Sequence, residues 1–381
     1  MKELQRIIEA YRSIDFSLRK VALATVVRVE GSSYRRPGAR MLITDDGKWV
    51  GAISGGCLEG DALRKARKVM VEGIAAIVSY DTMDDGSENL GIGLGCNGII
   101  DVLIEPVDPM DKANPLEILI PFIEIKNPEV LATVWRTEGD TGISLGQRFS
   151  TLGKNDDRFP FLQEDFHCSK FNGRSLNKEY ELASGRIEVF FEVIQPPLQL
   201  LIFGAGYDAI PVVKLAKELG WKVIVNDDCI AHINPKKFFE ADQLMVCSRD
   251  YIHPDLKIDR HAAALLISHN YKFDLSILQN LLGTEVGYIG ILGPRKRFLK
   301  MLKELKEKGM ELSSDDLNKI YSPVGLNIGA ETPDEIALSV IAEIRAVFSH
   351  KRGGHLKNLA GPIHERPDLQ IIDKGKKVEK R

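Results

Sequence analysis

Glycines placed before helices, cysteines flanked by glycine and closely spaced arginines are the residues of this chain best suited to chemistry. The stretch LLIFGAGYDAIPVVKLAKELGWKVIVND (200–227) sets Gly204-Ala205-Gly206 between an apolar run and a helical pattern, and Asp227 closes a second apolar run. This is G-x-G-x-x-A with an acidic residue about 20 positions on, the spacing of a dinucleotide-binding turn. Gly204 would permit the tight turn and Gly206 would let the backbone approach a pyrophosphate. The helix start would offer N–H groups and partial positive charge to that anion. Asp227 stands where a carboxylate accepts a ribose hydroxyl, and it would favour NAD over NADP by repelling a 2′-phosphate. Asp208, just after the turn, would instead repel an incoming phosphate.

Three further segments suit an anion or a soft metal. Ser54-Gly55-Gly56-Cys57 precedes a helical pattern, so its N–H groups could cradle a phosphate or oxo-anion with Cys57 as a soft ligand; the other reading is a tight turn. Gly95-Cys96-Asn97-Gly98 is a second glycine-flanked cysteine, which alone reads as a turn. Arg35-Arg36-Pro37-Gly38-Ala39-Arg40 holds three guanidinium groups that suit phosphate and planar oxygen groups, or form a solvated charge run. His269, Arg295 and Arg297 follow apolar runs in the second half, where ligands bind beyond the carboxyl ends of parallel strands. Cys168, Cys229 and Cys247 read as packing residues.

The elements that must position these residues are legible from periodicity. Leu4–Tyr11 reads as a helix and Val21–Val29 as a strand. Met41–Thr44 and Trp49–Ile53 form a hairpin around Asp46-Gly47. A helix runs to about Glu72, followed by strands at Ile74–Tyr80 and Ile99–Glu105. The string LATVWRTEGDTGISLGQR (131–148) then aligns in register with LATVVRVEGSSYRRPGAR (23–40). Each is followed by a similar closing strand, IIDVLIEPVDP (99–109) and RIEVFFEVIQPP (186–197). This predicts an internal duplication, 23–105 and 131–194, in which the second copy lost both cysteine loops; chance matching of strand-like strings is the competing reading. Gln195-Pro196-Pro197 reads as a linker. The domains expected are 1–195 and a Rossmann-like unit at 198–350, with a charged tail at 351–381. In the Rossmann-like unit Gln243–Cys247, Ala263–Ser268 and Tyr288–Leu292 supply further parallel strands. Thr332, Pro333 and Glu335 supply a capping box for its last helix.

Composition limits the rest. Lys and Arg number 51 against 54 Asp and Glu, a net charge of -3, so no overall attraction to nucleic acid or to a membrane surface is expected. No apolar run approaches the roughly 20 residues of a membrane span, and the N-terminus lacks a signal-peptide core. Five cysteines without C-x-x-C spacing argue against a disulfide framework or zinc site and for a reducing cytoplasm. The expectation is a soluble cytoplasmic α/β protein.

Nearly the whole chain resembles one family, the XdhC/CoxI family of molybdoenzyme accessory proteins. The resemblance lies in EGSSYRRPGARMLITDDGKWVGAISGGCLEG and GIGLGCNGIIDVLIEP, then in the 200–227 stretch, YIGILGPRKR, SPVGLNIGAETPDEIALSVIAEI and GPIH. It implies an N-terminal XdhC/CoxI α+β domain followed by a Rossmann-like doubly wound parallel sheet. It also implies a cofactor chaperone rather than a catalyst. Such a protein binds molybdenum cofactor (molybdopterin), protects or promotes its sulfurated form and delivers it to an apo molybdenum hydroxylase of the xanthine dehydrogenase type. A cysteine desulfurase is an expected partner, and a homodimer would match a dimeric client. Gly55, Gly56, Cys57, Cys96, Gly204 and Gly206 carry over directly.

Three positions depart from the family pattern: Tyr207 for a usual His, Asn97 for a Gly, and Ser268-His269-Asn270 for Thr-His-Asp. The phosphate is expected at Ser54–Gly56, framed by Arg35, Arg36 and Arg40 near Gly38. Cys57 or Cys96 would contact molybdenum. The crevice of Gly204, Gly206, Asp227, His269, Arg295 and Arg297 would take the pterin-phosphate or a nucleotide. Two other classes compete, an NAD(P)-dependent oxidoreductase and a scaffold holding a sulfurase against an apo-enzyme.

Overall fold

The computed structural model describes residues 1–31, 33–81, 98–152, 159–248, 252 and 256–360. Gly95 and Cys96 fall outside the described residues. The chain folds as two compact units that divide at Pro196-Pro197.

The first unit is α+β. Helix α1 (Lys2–Ser13) buries Leu4, Ile7, Ile8 and Tyr11, a single stripe at helical spacing. Strands β1 (Val21–Gly31), β2 (Arg40–Thr44) and β3 (Trp49–Gly51) precede helix α2 (Glu59–Glu72), which ends on the left-handed Gly73. Strands β4 (Ala76–Asp81) and β5 (Gly98–Pro106) complete an antiparallel sheet of order β3-β2-β1-β5-β4. After the short helix α3 (Pro115–Leu119), capped by Asn114, the pattern recurs. It runs through β6 (Glu129–Gly139), β7 (Arg148–Ser150), α4 (Gln163–Asn172), β8 (Leu176–Leu182) and β9 (Gly185–Ile194). The second sheet has the order β7-β6-β9-β8, matching β2-β1-β5-β4.

The likeness reaches the details. A bulge interrupts the β1–β5 register between Val26 and Arg28, and the β6–β9 register between Val134 and Arg136. Gly38 N–H donates to Val26 O at 2.8 Å, and Gly146 N–H donates to Val134 O at 2.8 Å. Each half also keeps its own core, with α2 over the first sheet and Leu162 and Phe166 over the second. Val27, Leu103, Trp135 and Phe190 form a shared cluster between the halves. The guanidinium groups of Arg28 and Arg136 lie 5.8 and 4.8 Å from the Trp135 ring centre.

The second unit is a doubly wound parallel sheet. Its elements are β10 (Gln199–Phe203), α5 (Ala209–Glu218), β11 (Lys222–Asp227), β12 (Gln243–Val246), β13 (Ala262–Leu266), α6 (Tyr271–Leu281), β14 (Tyr288–Ile291), α7 (Arg295–Glu307), α8 (Ser314–Asn318), β15 (Ile320–Tyr321) and α9 (Pro333–Phe348). The strand order is β12-β11-β10-β13-β14-β15, every pair parallel. The central strands are buried on both faces, which is why they read as continuous apolar runs. Helices α5 and α9 cover one face, while α6 and α7 cover the other. The predicted capping box at Thr332 and Glu335 is present. The chain order reverses between β10 and β13, the switch point where such sheets bind ligands. Among the described residues no helix is long and apolar enough to cross a membrane.

Candidate functional site

In the first half of the first unit, the loops that follow β1 and β3 lie at one end of the sheet. Gly31 pairs with Gly98 and Asp81 with Ile99, so β1 ends where β4 stops and β5 begins. Strand β3 is antiparallel to β2 and leads its following loop toward that end. The two loops touch: the Tyr34 ring lies 3.5 Å from where a Cβ on Gly55 would stand. Tyr34, Arg36, Gly55 and Gly56 are exposed, and Cys57 is a half-buried free thiol. Arg36 makes no ion pair with any described residue.

The glycine loop itself departs from expectation. The helix begins at Glu59, and the Glu59 carboxylate accepts hydrogen bonds from Ser54 N–H (2.8 Å), Ser54 Oγ (2.5 Å) and Leu58 N–H (3.1 Å). Ser54 Oγ in turn accepts from Gly56 N–H at 3.2 Å and Leu58 N–H at 3.0 Å. The chain's own carboxylate thus sits where an anion was expected, because a buried acid at a helix start satisfies the loose N–H groups. Burial alone would raise the Glu59 carboxyl, but the Ser54 hydroxyl and N–H outweigh that and hold it below the usual glutamate range. Ser54 is therefore part of an internal brace.

Two of the expected site arginines, Arg40 and Arg35, are held by partners within the chain. Arg40 is buried, and its guanidinium is bidentate to Glu192, with Nη1 2.9 Å from Oε1 and also 2.9 Å from Gly38 O. It cannot frame a ligand while so engaged. Gly38 is required for the same reason: with φ of 92°, a Cβ there would stand 2.7 Å from Glu192 Oε1. The second half repeats the device. Arg148 is bidentate to Glu105, with Nη1 2.8 Å from Oε1 and 2.9 Å from Gly146 O, and a Cβ on Gly146 would stand 2.5 Å from Glu105 Oε1. Arg35 pairs with Glu3 of α1 and is half-buried. Of the three arginines, Arg36 alone projects outward unpaired among the described residues.

The second unit also differs from an open dinucleotide site. Gly204 has φ of 122°, and a Cβ there would meet Ser268 Cα at 2.5 Å, so the turn needs glycine to pass β13. Asp227 is buried rather than available to a ribose. Its Oδ2 accepts from Ala205 N–H at 2.7 Å, while Oδ1 accepts from Cys229 N–H at 2.9 Å and lies 2.9 Å from His232 Nδ1. Arg297 is bound to the buried Asp274 (2.8 Å) and to Leu292 O (3.0 Å), so it braces α6 against α7. Burial raises the Asp274 carboxyl, against the opposing pull of Ser268 and Arg297. Arg295 is exposed at the start of α7. His269 is exposed beside the glycine turn, its Nε2 2.8 Å from Asp208 Oδ2.

A family model described as the XdhC Rossmann domain matches residues 200–344, and one described as the XdhC and CoxI family matches residues 17–81. A probable xanthine dehydrogenase subunit from Bacillus subtilis is 30% identical over 333 residues, which is 85% of this chain and 92% of that protein. The chain belongs to the XdhC and CoxI family. The molybdenum cofactor insertion chaperone PaoD of Escherichia coli is 25% identical over 330 residues, 86% of this chain and 84% of that one. The crystal structure of a xanthine dehydrogenase from Bacillus halodurans is similar at a TM-score of 0.73 and 30% identity, covering 93% of this chain and 98% of that chain.

Within this XdhC/CoxI chain the departures at 207 and 270 acquire local meanings. Asn270 caps α6, accepting from Lys272 N–H at 3.2 Å and Phe273 N–H at 3.3 Å, a task an aspartate performs equally well. Tyr207 places an exposed ring beside the glycine turn. Sequence reasoning missed Glu59, Tyr34 and the glutamates at 105 and 192. The last two were visible, since a glutamate recurs in both closing strands.

Proposed function

We propose that this protein binds molybdenum cofactor as cargo and delivers it to an apo molybdenum hydroxylase of the xanthine dehydrogenase type. The observation that carries this reading is the one-sided surface of Tyr34, Arg36, Gly55, Gly56 and Cys57. It lies at one end of the first sheet and has no counterpart among the described residues of the second half, where Gly142 and Ser144 occupy the positions of Tyr34 and Arg36. Arg36 suits an oxyanion, the Tyr34 ring suits a flat heterocycle, and a thiol at Cys57 suits a soft metal centre. The strands on either side of the Cys96 segment, β4 and β5, both open toward this end of the sheet, which supports Cys96 as a second thiol for the same cargo. Because Glu59 already fills the loop's N–H cradle, the cargo's phosphate would be met by Arg36 rather than by Ser54. The matching architecture of the halves supports a duplicated module whose second copy, in 131–194, kept the frame and lost the binding loops.

The same reading includes protection or promotion of the sulfurated cofactor in the cytoplasm, with a cysteine desulfurase and the client as partners and a homodimer as the working form. The test is the molybdenum and pterin content, by mass spectrometry, of full-length protein purified gently from a molybdenum-replete host. Cys57→Ser combined with Cys96→Ser is expected to lose most of the cargo; undiminished content would remove the thiol role. The internal engagement of Asp227 speaks against an NAD(P)-dependent oxidoreductase. Micromolar NADH binding with turnover would reverse that judgement.

A further inference from the structure

Helix α1 reaches both loops of the one-sided surface. Its buried stripe packs with Leu23 and Leu42 of the first sheet and with Leu116, Leu119 and Phe122. From that base the Glu3 carboxylate accepts Arg35 Nη2 on both oxygens, at 2.5 Å for Oε1, and Arg40 N–H reaches Oε1 at 3.5 Å. One side chain thus grips both ends of the segment 35–40. Within it, Ala39 N–H donates to Arg36 O at 3.0 Å, and Pro37 keeps the preceding Arg36 backbone out of the helical region. Ile7 of the same helix lies 3.1 Å from where a Cβ on Gly51 would stand, at the end of the strand that leads into the Ser54–Cys57 loop.

The second half separates this tether from the frame. It keeps the turn, with Gln147 N–H on Ser144 O at 3.1 Å, but at the position of Arg35 it has Ile143, buried in that half's own core. An apolar side chain there fixes the loop by packing, so the frame does not require an ion pair at this point. The pair occurs in the half whose loop carries Tyr34 and Arg36. We infer that Glu3 is a positioning residue for the binding surface: through Arg35 it holds the Tyr34–Arg36 segment against the glycine loop, so that both side chains are set before a ligand arrives. Groups ordered in advance have less freedom left to lose on binding. Both partners are partly exposed, so the pair adds little to overall stability. The identity of the ligand rests on the delivery reading above; the tether does not.

The experiment compares full-length protein carrying Glu3→Gln, Arg35→Ile (the residue of the second half), or the exchanged pair Glu3→Arg with Arg35→Glu. One readout is the molybdenum and pterin content of protein from a molybdenum-replete host. The other is the rate at which iodoacetamide alkylates Cys57, followed by peptide mass spectrometry, in protein from a host that makes no molybdopterin. Each single variant should lower the cargo several-fold and raise Cys57 alkylation several-fold, because a released Tyr34 ring uncovers the glycine loop. The thermal midpoint should move by about 2 °C or less. The exchanged pair should bring both readouts at least halfway back, which a general loss of folding would not allow. Unchanged cargo and alkylation in Glu3→Gln overturns the inference, as does an exchanged pair that restores neither. Faster alkylation in the single variants of a protein whose native form retains no molybdenum or pterin would keep the tether and remove the delivery reading.

Discussion

The two halves of the first unit act as mutual controls. Both retain the bulge, the left-handed glycine, the buried arginine and the glutamate that receives it, at matching points of two sheets. What both keep must serve the frame, because the second half has no cysteine loop to serve. Its β8 and β9 are joined by Ala183-Ser184 alone, where the first half inserts residues 82–97. By that comparison Arg40 and Gly38 belong to the frame, although their neighbours in sequence, Tyr34 and Arg36, do not. A motif read as a block mixes two kinds of residue. The recurrence of some of its residues in the second half, and not of others, separates them.

The largest expected effect tests the frame. Arg40→Met and Arg148→Met each leave a glutamate that is buried or nearly so without its guanidinium, and loss of one partner from a buried pair costs roughly 3–5 kcal/mol. Chemical denaturation should show the two variants destabilised to within about 1 kcal/mol of each other, given ordinary context dependence. A much smaller loss at Arg40 would break the equivalence and return that residue to the ligand contacts. Replacing the whole pair, Arg40→Met with Glu192→Leu, should recover most of the loss, since the apolar substitute removes the stranded charge.

The same contrast explains what could be read from sequence. Locally patterned segments were legible: the strands at 200–203 and 223–225 and the capping box at Thr332 rest on local patterns that tertiary packing reinforces. The two-residue β15 was not legible, because so short a strand has no period to detect. Within the site, sequence found the glycines and charges but not their partners. Arg40 finds Glu192 and Asp227 finds Ala205 N–H through the fold, so residues chosen as ligand contacts also hold partners within the chain. Spacing reveals which groups could bind an anion. It cannot reveal that the chain supplies one itself, as Glu59 and Asp227 do.

Glu59 gives the next effect in size, and it sharpens the comparison because among the described residues the brace is seen only in the first half. Glu59→Gln should cost about 1.5–3 kcal/mol at neutral pH, the range for hydrogen bonds to a charged group. Its folded carboxyl lies below the ordinary glutamate value near 4.3, so the stabilisation is complete above that value and is lost as pH falls through the depressed folded one. The gap between native and variant midpoints should therefore close on acidification. A gap that persisted unchanged at pH 2 would mean that shape rather than charge holds the loop.

The smallest effect on stability should accompany a large one on function. Arg36 and Tyr34 are exposed and have no equivalents in the second half, so Arg36→Ala and Tyr34→Ala should each shift stability by about 0.5 kcal/mol or less. If they belong to the binding surface, retained molybdenum and pterin should fall severalfold in the same preparations, while Ser144→Ala, at the matching point of the second half, changes neither quantity. The paired measurement matters more than either alone. Loss of cargo at Arg36 together with loss of stability would place it with Arg40 in the frame, and full retention of cargo would leave the one-sided surface without a role in binding.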